Sequence, residues 1–162
     1  MASIAPVSYA TVQNLLTELS RPGPLHFWRS GFVRALSDEA IEALVDLFAA
    51  DVPGFFAAFG GVVSRVDPQD TAFVHRGVQH SLLVLRMWQD SAESERNIDW
   101  GRRCYRAAEP FLKAGVYVND LSNEGEGRVR AAHGLNYERL REVKNKYDPT
   151  NFFRLNQNIE PV

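Results

Sequence analysis

Between Tyr9 and Leu19 the apolar residues Val12, Leu15, Leu16 and Leu19 recur at three- and four-residue spacing, which predicts a short amphipathic helix with one face packed. Arg21-Pro22-Gly23-Pro24 ends it. His26 to Phe32 holds three aromatics, Phe27, Trp28 and Phe32, and reads as a strand. Ser37-Asp38-Glu39 then supplies an N-cap and first-turn acids for a helix whose Ile41, Leu44, Val45 and Phe48 form one stripe. After Asp51-Val52-Pro53-Gly54 the period shortens. Phe55 to Val66, interrupted by Gly60-Gly61, then Thr71 to Arg76, then Ser81 to Trp88 read as three strands of an antiparallel meander. Ile98 to Lys113 returns to helical period through Trp100, Cys104, Ala107 and Phe111, with Gly115 just beyond its end. Gly115 to Asp120 reads as one more strand. Two helical patterns follow, Glu124 to His133 and Asn136 to Tyr147, the second with Leu140, Val143 and Tyr147 on a face; Asp148-Pro149-Thr150-Asn151 stops it. The last stretch, Phe152 to Ile159, is apolar and amide-rich without any period, and it needs a surface to lie on.

Strands in a run, with helices before and after, predict an α+β domain: an antiparallel β-sheet with helices packed on one face, followed by C-terminal helices and an extended tail. At 162 residues the chain can bury roughly two-thirds of its unfolded surface, enough for one core. Apolar residues at 45% and charged residues at 23% are those of a folded globular protein.

A formal net charge of −2 and a pI near 6.1 leave no basic footprint, so nucleic acid is not expected as a partner. No apolar run reaches the roughly eighteen residues of a membrane span, and Met1 to Ala10 carry no basic-then-apolar leader, so neither membrane insertion nor export is expected. The lone Cys104 excludes an intramolecular disulfide and has no Cys or His at metal-ligand spacing; a cytoplasmic setting and no metal site are expected.

Self-contained catalytic motifs are missing: no Gly-x-Gly-x-x-Gly after a strand, no phosphate-binding Gly-Lys-Ser/Thr, no His-Glu-x-x-His and no Gly-x-Ser-x-Gly. Gly125-Glu126-Gly127 lacks both the third glycine and a preceding strand. His26, His75, His80 and His133 are scattered and read as hydrogen-bonded residues of strands and helices. His75-Arg76, at a strand end, either anchors a carboxylate or phosphate or makes a structural ion pair. In an extended Gly115 to Asp120, Tyr117 and Asn119 share one side and Val116, Val118 and Asp120 the other. A phenol beside an amide suits the polar edge of a flat heteroaromatic ring, although a Tyr-x-Asn strand is also an ordinary strand.

Tyr117-Val118-Asn119, then Asn136-Tyr137-Glu138-Arg139-Leu140, then Lys144-x-Lys146-Tyr147-Asp148-Pro149-Thr150-Asn151-x-Phe153-Arg154-x-Asn156-Gln157-Asn158-Ile159 together resemble the C-terminal signature of the berberine-bridge-enzyme-like FAD-linked oxidoreductases. Upstream, Phe27-Trp28-Arg29-Ser30, Leu36 to Ile41, Gly60-Gly61 and Thr71 to Arg76 extend the likeness loosely, from about Tyr9 to Ile159. The resemblance implies residues 1–113 as a partial substrate-binding domain and 114–162 as the C-terminal berberine-like segment, packing as one unit. It also implies that Tyr117 and Asn119 bind the flavin ring, and that Asn151 to Ile159 packs on a flavin domain that this chain lacks.

Many members carry a tyrosine directly after the Tyr-x-Asn, where it serves as a base; here Asp120 takes that place. Asp120 is either the catalytic base, if burial raises its pKa, or a solvated strand-end residue. Some members instead place a carboxylate on the strand after the His-Arg pair, and Ser81 to Trp88 contains none. The implied activity is hydride transfer from a small-molecule substrate to flavin N5, with oxygen as acceptor. FAD is the implied cofactor, not retained by this chain alone, and the implied partner is a flavin-binding domain or chain without which it is inactive. The alternative is a non-catalytic interaction module or remnant of such an oxidase. Either way an apolar patch awaiting a partner is expected, and with it self-association.

Overall fold

The computed structural model describes residues 6–14, 17, 22–49, 54–122 and 124–162. Its centre is a long antiparallel pair: β1, Leu25–Val33, runs against β3, His80–Trp88, from Leu25↔Trp88 to Val33↔His80. β2, Gly54–Ala58, pairs with the other edge of β3, and the two-residue β4, Leu112–Lys113, pairs with Phe32 and Val33 of β1. The four-stranded order is β2-β3-β1-β4. Aromatic and branched residues fill β1 and β3, as a sheet covered on one face and partly covered on the other requires.

Leu82, Val84 and Val33 point to one face and meet Leu44 and Leu47 of α2 (Asp38–Ala49), Tyr105 and Ala108 of α3 (Ser94–Ala108), and Leu112. Trp100 and Cys104 flank this core half-buried. The stripe expected on α2 is shifted by one residue. Ala40, Leu44 and Leu47 are buried, while Ile41 and Val45 are 43% and 59% exposed. Positions 40, 44 and 47 share a face at helical spacing, and Ala40 lets the helix approach closely, so the bulkier neighbours turn outward. Phe48's side chain is not among those described. α3 also sits close: a Cβ at Gly101 would lie 2.5 Å from Phe27 Cδ1.

Several expected elements are different. α3 ends at Ala108 rather than Lys113, because Pro110 opens a single 3₁₀ turn (Glu109–Phe111) from which the chain leaves as β4. Of the expected meander, β2 and β3 form and are neighbours; Gly60 to Val66 becomes a turn and a 3₁₀ segment, with Gly61 at φ +65°. Thr71 to Arg76 is not a strand. Side chains take its backbone acceptors instead: Asn136 Nδ2 donates to the Pro68 and Thr71 carbonyls at 2.6 and 2.9 Å, and Arg76 Nε to Phe73 O at 3.0 Å. In α1, Tyr9–Asn14, Val12 is exposed, and Leu15, Leu16 and Leu19 lie outside the described residues.

A second core gathers Val116, Leu121, Val129 of α4 (Glu126–His133), Ala132 and Tyr137, which opens α5 (Tyr137–Tyr147), with Val118 and Ile159 against it. On α5 the buried residue is Tyr137; Val143 and Tyr147 face solvent. The two cores are tied across the chain. Arg128 donates to Ser30 O at 2.8 Å, Ser30 Oγ to Asp120 O at 3.2 Å, and the His75 ring pairs with Ala131 O at 3.0 Å. The tail divides: Gln157 donates to Leu121 O and Ile159 joins the second core, whereas Phe152, Phe153 and Leu155 are 73%, 76% and 84% exposed.

Candidate functional site

The sheet face opposite α2 and α3 is where chemistry can gather, since it is only partly covered, by residues 71–76 and 115–122 folding across it. Phe32 on this face meets Phe59 and His75, with ring centroids 6.0 and 4.8 Å apart; Tyr117 meets Phe59 and Phe73 edge-on at 5.3 and 5.8 Å. Gly115 allows the crossing. Its φ is +99°, and a Cβ there would fall 2.4 Å from His75 Cε1.

Gly115 to Asp120 is not the strand that alternation suggested. Val116 is fully buried, and Val118–Asp120 forms a 3₁₀ turn closed by Asp120 N–H donating to Tyr117 O at 2.9 Å. The turn matters, because strict alternation sets Asp120 and Tyr117 on opposite sides. Instead both line one cleft of about 230 Å³, walled by Phe55 and Ala57 of β2, Phe59, and Ser81 and Leu83 of β3. Asn119 is exposed at the turn, and its Nδ2 donates to the Tyr117 hydroxyl at 2.8 Å.

Burial in this apolar surround pushes the Asp120 carboxyl up to about 6. Desolvation is the whole cause, so the shift reports the cleft itself rather than a charged neighbour. His75 and His133 are held below the ordinary histidine range, first by burial, so both favour the neutral ring. Ser81, which no sequence motif marks, is 2% exposed, and its Oγ has no hydrogen-bond partner. The available signal was a single hydroxyl at the start of Leu82-Leu83-Val84-Leu85, a run otherwise apolar.

Among the described residues His75 and Arg76 make no ion pair. Arg76 is spent on Phe73 O, Val63 O and Thr71 Oγ1, with its guanidinium 5.0 Å from the Phe73 ring centroid. A larger recess of about 530 Å³, bounded by Phe27, Leu121, Ser122, Asn156, Gln157 and the stacked rings of His26 and Trp28, contains no carboxylate. Among the described residues no group of three or more His, Cys, Asp or Glu converges to hold a metal, and no helix is long and apolar enough to cross a membrane.

An apolar cleft with a phenol and an amide at one lip fits the edge of a flat polar ring. A pyrophosphate finds no such fit at α4, where Gly125 lies: Glu126 stands in the first turn and Glu124 just before it, repelling an anion.

Residues 116–160 match the family model described as berberine and berberine like. The uncharacterized FAD-linked oxidoreductase YvdP of Bacillus subtilis is 35% identical over 130 residues, covering 77% of this chain and 29% of its own length. The monolignol oxidoreductase AtBBE-like 13 of Arabidopsis thaliana is 35% identical over 115 residues, 62% of this chain and 22% of its own. Among solved structures, BBE-like #28 from Arabidopsis thaliana superposes with a TM-score of 0.72 at 22% identity, covering 88% of this chain and 35% of that one. Berberine bridge enzyme from Eschscholzia californica gives 0.71 at 24%, covering 86% and 33%; at these identities the likeness is one of fold. The chain spans about 29% of the length of its YvdP relative. With the sheet, the C-terminal signature and these relatives in agreement, the chain belongs to the berberine-bridge-enzyme-like FAD-linked oxidoreductases, as their C-terminal region.

Proposed function

We propose that this chain forms the substrate wall of an FAD-dependent oxidoreductase that acts on a small molecule, with residues 1–113 as the partial substrate domain and 114–162 as the berberine-like segment. The cradle for most of the FAD belongs to a different stretch of protein, so the chain by itself is inactive and does not retain the cofactor. One observation carries the reading: a carboxyl raised to about 6 shares an apolar cleft with a tyrosine on the open sheet face.

FAD, when bound, supplies the hydride acceptor. Tyr117 and Asn119 are the residues that hold the ring's polar edge, the phenol packed between Phe59 and Phe73 and the amide bonded to it at 2.8 Å. Asp120 is the base. At neutral pH a carboxyl of that acidity is mostly ionised, yet it accepts a proton far more readily than an ordinary aspartate. The apolar walls Phe55, Phe59 and Leu83 partly desolvate the carboxylate. The partner expected on Phe152, Phe153 and Leu155 is the flavin-binding part of the protein, whether in the same polypeptide or another.

The test is reconstitution. The chain is purified alone and after co-expression with the remaining portion of its YvdP relative, and each preparation is assayed for bound FAD by absorbance and for substrate-dependent oxygen uptake. A colourless chain and a yellow, oxygen-consuming complex are expected, with Asp120→Asn lowering turnover at least 100-fold and sparing the colour. Stoichiometric FAD on the chain alone would overturn the reading, as would full turnover by the Asn variant.

A further inference from the structure

On the open face of the sheet, where β1 presents the rings of Trp28 and Phe32, the residue between them is Ser30. It is fully buried, and among the described residues its hydroxyl makes one hydrogen bond, donated to the Asp120 carbonyl at 3.2 Å. A hydroxyl taken out of water costs free energy unless it is bonded, so this bond is what Ser30 offers that alanine does not.

The ladder shows what the bond does. Ser30 pairs with Leu83 of β3, and Leu83 with Phe55 of β2, so the three stand in one row on the same face. Leu83 and Phe55 are walls of the Asp120 cleft. The Asp120 carbonyl is thus pinned on β1, one strand away from the space that its carboxyl occupies. The backbone is fixed on either side as well: the Asp120 N–H closes the turn on Tyr117 O at 2.9 Å, and Gln157 Nε2 donates to Leu121 O at 3.0 Å. Ser30 is itself held. Arg128 Nη2 donates to its carbonyl at 2.8 Å, on the edge of β1 where β4 pairs with Phe32 and Val33. The Glu124 carboxylate, 10% exposed, accepts from Arg128 Nε at 3.1 Å and from Ser122 Oγ at 3.2 Å, and Arg29 stands 3.4 Å from it.

Resting on the reading of Asp120 as the base, we infer that Ser30 is a positioning residue: its hydroxyl, held in place by Arg128, aims the Asp120 carboxyl into the cleft. Neither side chain lines the cleft, so both act through the Asp120 backbone. Without the Ser30 bond, the turn at 118–120 rotates and the carboxyl reaches water beside the exposed Asn119.

The test is read on the chain by itself, without flavin. The Asp120 carboxyl carbon is titrated by NMR in the parent, Ser30→Ala, Ser30→Thr, Arg128→Met and Leu44→Ala. The parent midpoint is expected at about 6. In Ser30→Ala it is expected to fall by about one unit or more toward the ordinary aspartate value, as solvent reaches the carboxyl. Ser30→Thr, which keeps the hydroxyl, is expected to restore the parent midpoint, and Arg128→Met to give roughly half the fall. Leu44→Ala, which opens a cavity in the other core, is expected to lower stability and leave the midpoint in place, separating aim from general loosening. An unmoved midpoint in Ser30→Ala overturns the assignment, and so does an equal fall in Leu44→Ala. Should Ser30→Ala not fold, Arg128→Met decides, since that side chain is 25% exposed and its loss is tolerable; an unmoved midpoint there overturns the assignment. The base reading is decided separately, by turnover of Asp120→Asn in the reconstituted complex. Full turnover there with a lowered Ser30→Ala midpoint removes the base and keeps the hold on the carboxyl. Lost turnover with an unmoved midpoint keeps the base and removes Ser30.

Discussion

Asp120 is held by its surroundings in a state that its own chemistry disfavours. Its folded pKa, about 6, lies above the ordinary value of 3.8 because the cleft desolvates the charged form. The sign follows: the contribution to stability is fully present below about pH 4 and is lost as pH rises through 6. Asp120→Asn should therefore match the parent in urea unfolding near pH 4 and exceed it at pH 8 by about 1–2 kcal/mol, taking ~1.4 kcal/mol per pKa unit and reducing it for partial exposure. Equal stability at both pH values would deny the desolvation. Gly115 is constrained differently, by space. At φ +99° and with a Cβ 2.4 Å from the His75 ring, Gly115→Ala should cost roughly 2–4 kcal/mol of unfolding free energy, the range for backbone strain combined with overpacking. His75 would have to swing off Ala131 O, and its bond at 3.0 Å gives that change a spectroscopic handle in the ring's nitrogen shifts.

At the scale of elements, side chains do the joining that backbone ladders do elsewhere. The segment 71–76 has no strand partner, and one amide, Asn136, 7% exposed, holds two of its neighbouring carbonyls. Asn136→Ala removes both bonds, whose acceptors sit on the exposed residues Pro68 and Thr71 and can turn to water, for an expected loss of roughly 1–2 kcal/mol. Amide exchange should quicken at Phe73 to Arg76 more than in β1 and β3. Uniform quickening would mean that the segment is held by something else. The edge of β1 is tied down comparably, by Arg128 on Ser30 O with Glu124 bridging Arg128 and Arg29 at 3.1 and 3.4 Å. These ties carry Asp120 to the sheet, since Ser30 also holds the Asp120 carbonyl.

Across the whole molecule, the tail has two behaviours. Asp148 anchors its start: the carboxylate accepts the Phe152 and Phe153 N–H groups at 2.7 and 3.0 Å and pairs with Lys144, whose hydrogen bond is the main cause holding its carboxyl below the usual range. Immediately after this anchor Phe152 and Phe153, packed edge-on at 5.0 Å, stand in solvent with Leu155 and Tyr147. Backbone held rigidly while its aromatics are exposed is the form of a docking element. The chain alone should bind a hydrophobic dye and self-associate in sedimentation at micromolar concentration. Replacing Phe152 and Phe153 together by Asp should abolish both while shifting stability by less than about 0.5 kcal/mol. A dye-silent monomer from the parent chain would contradict the patch.

The sequence by itself determined the kind of fold, the long strands and the helices with strong period. Local chemistry decides those: aromatics at 27, 28 and 32, the Ser37 cap, and the Asp148-Pro149 stop act within a few residues. The C-terminal signature, matched over residues 116–160, was legible for the same reason. Tertiary structure alone decided three things. It chose Ala40, Leu44 and Leu47 over Ile41 and Val45, because which apolar stripe is buried depends on the surface it meets. It turned two expected strands, 71–76 and 115–120, into side-chain-held crossings, because a strand exists only if a neighbour offers a free edge. It also brought Tyr117, Asp120 and Ser81 to one cleft, since desolvation and an unpaired hydroxyl are properties of a surround assembled from β2, β3 and a turn distant in the chain.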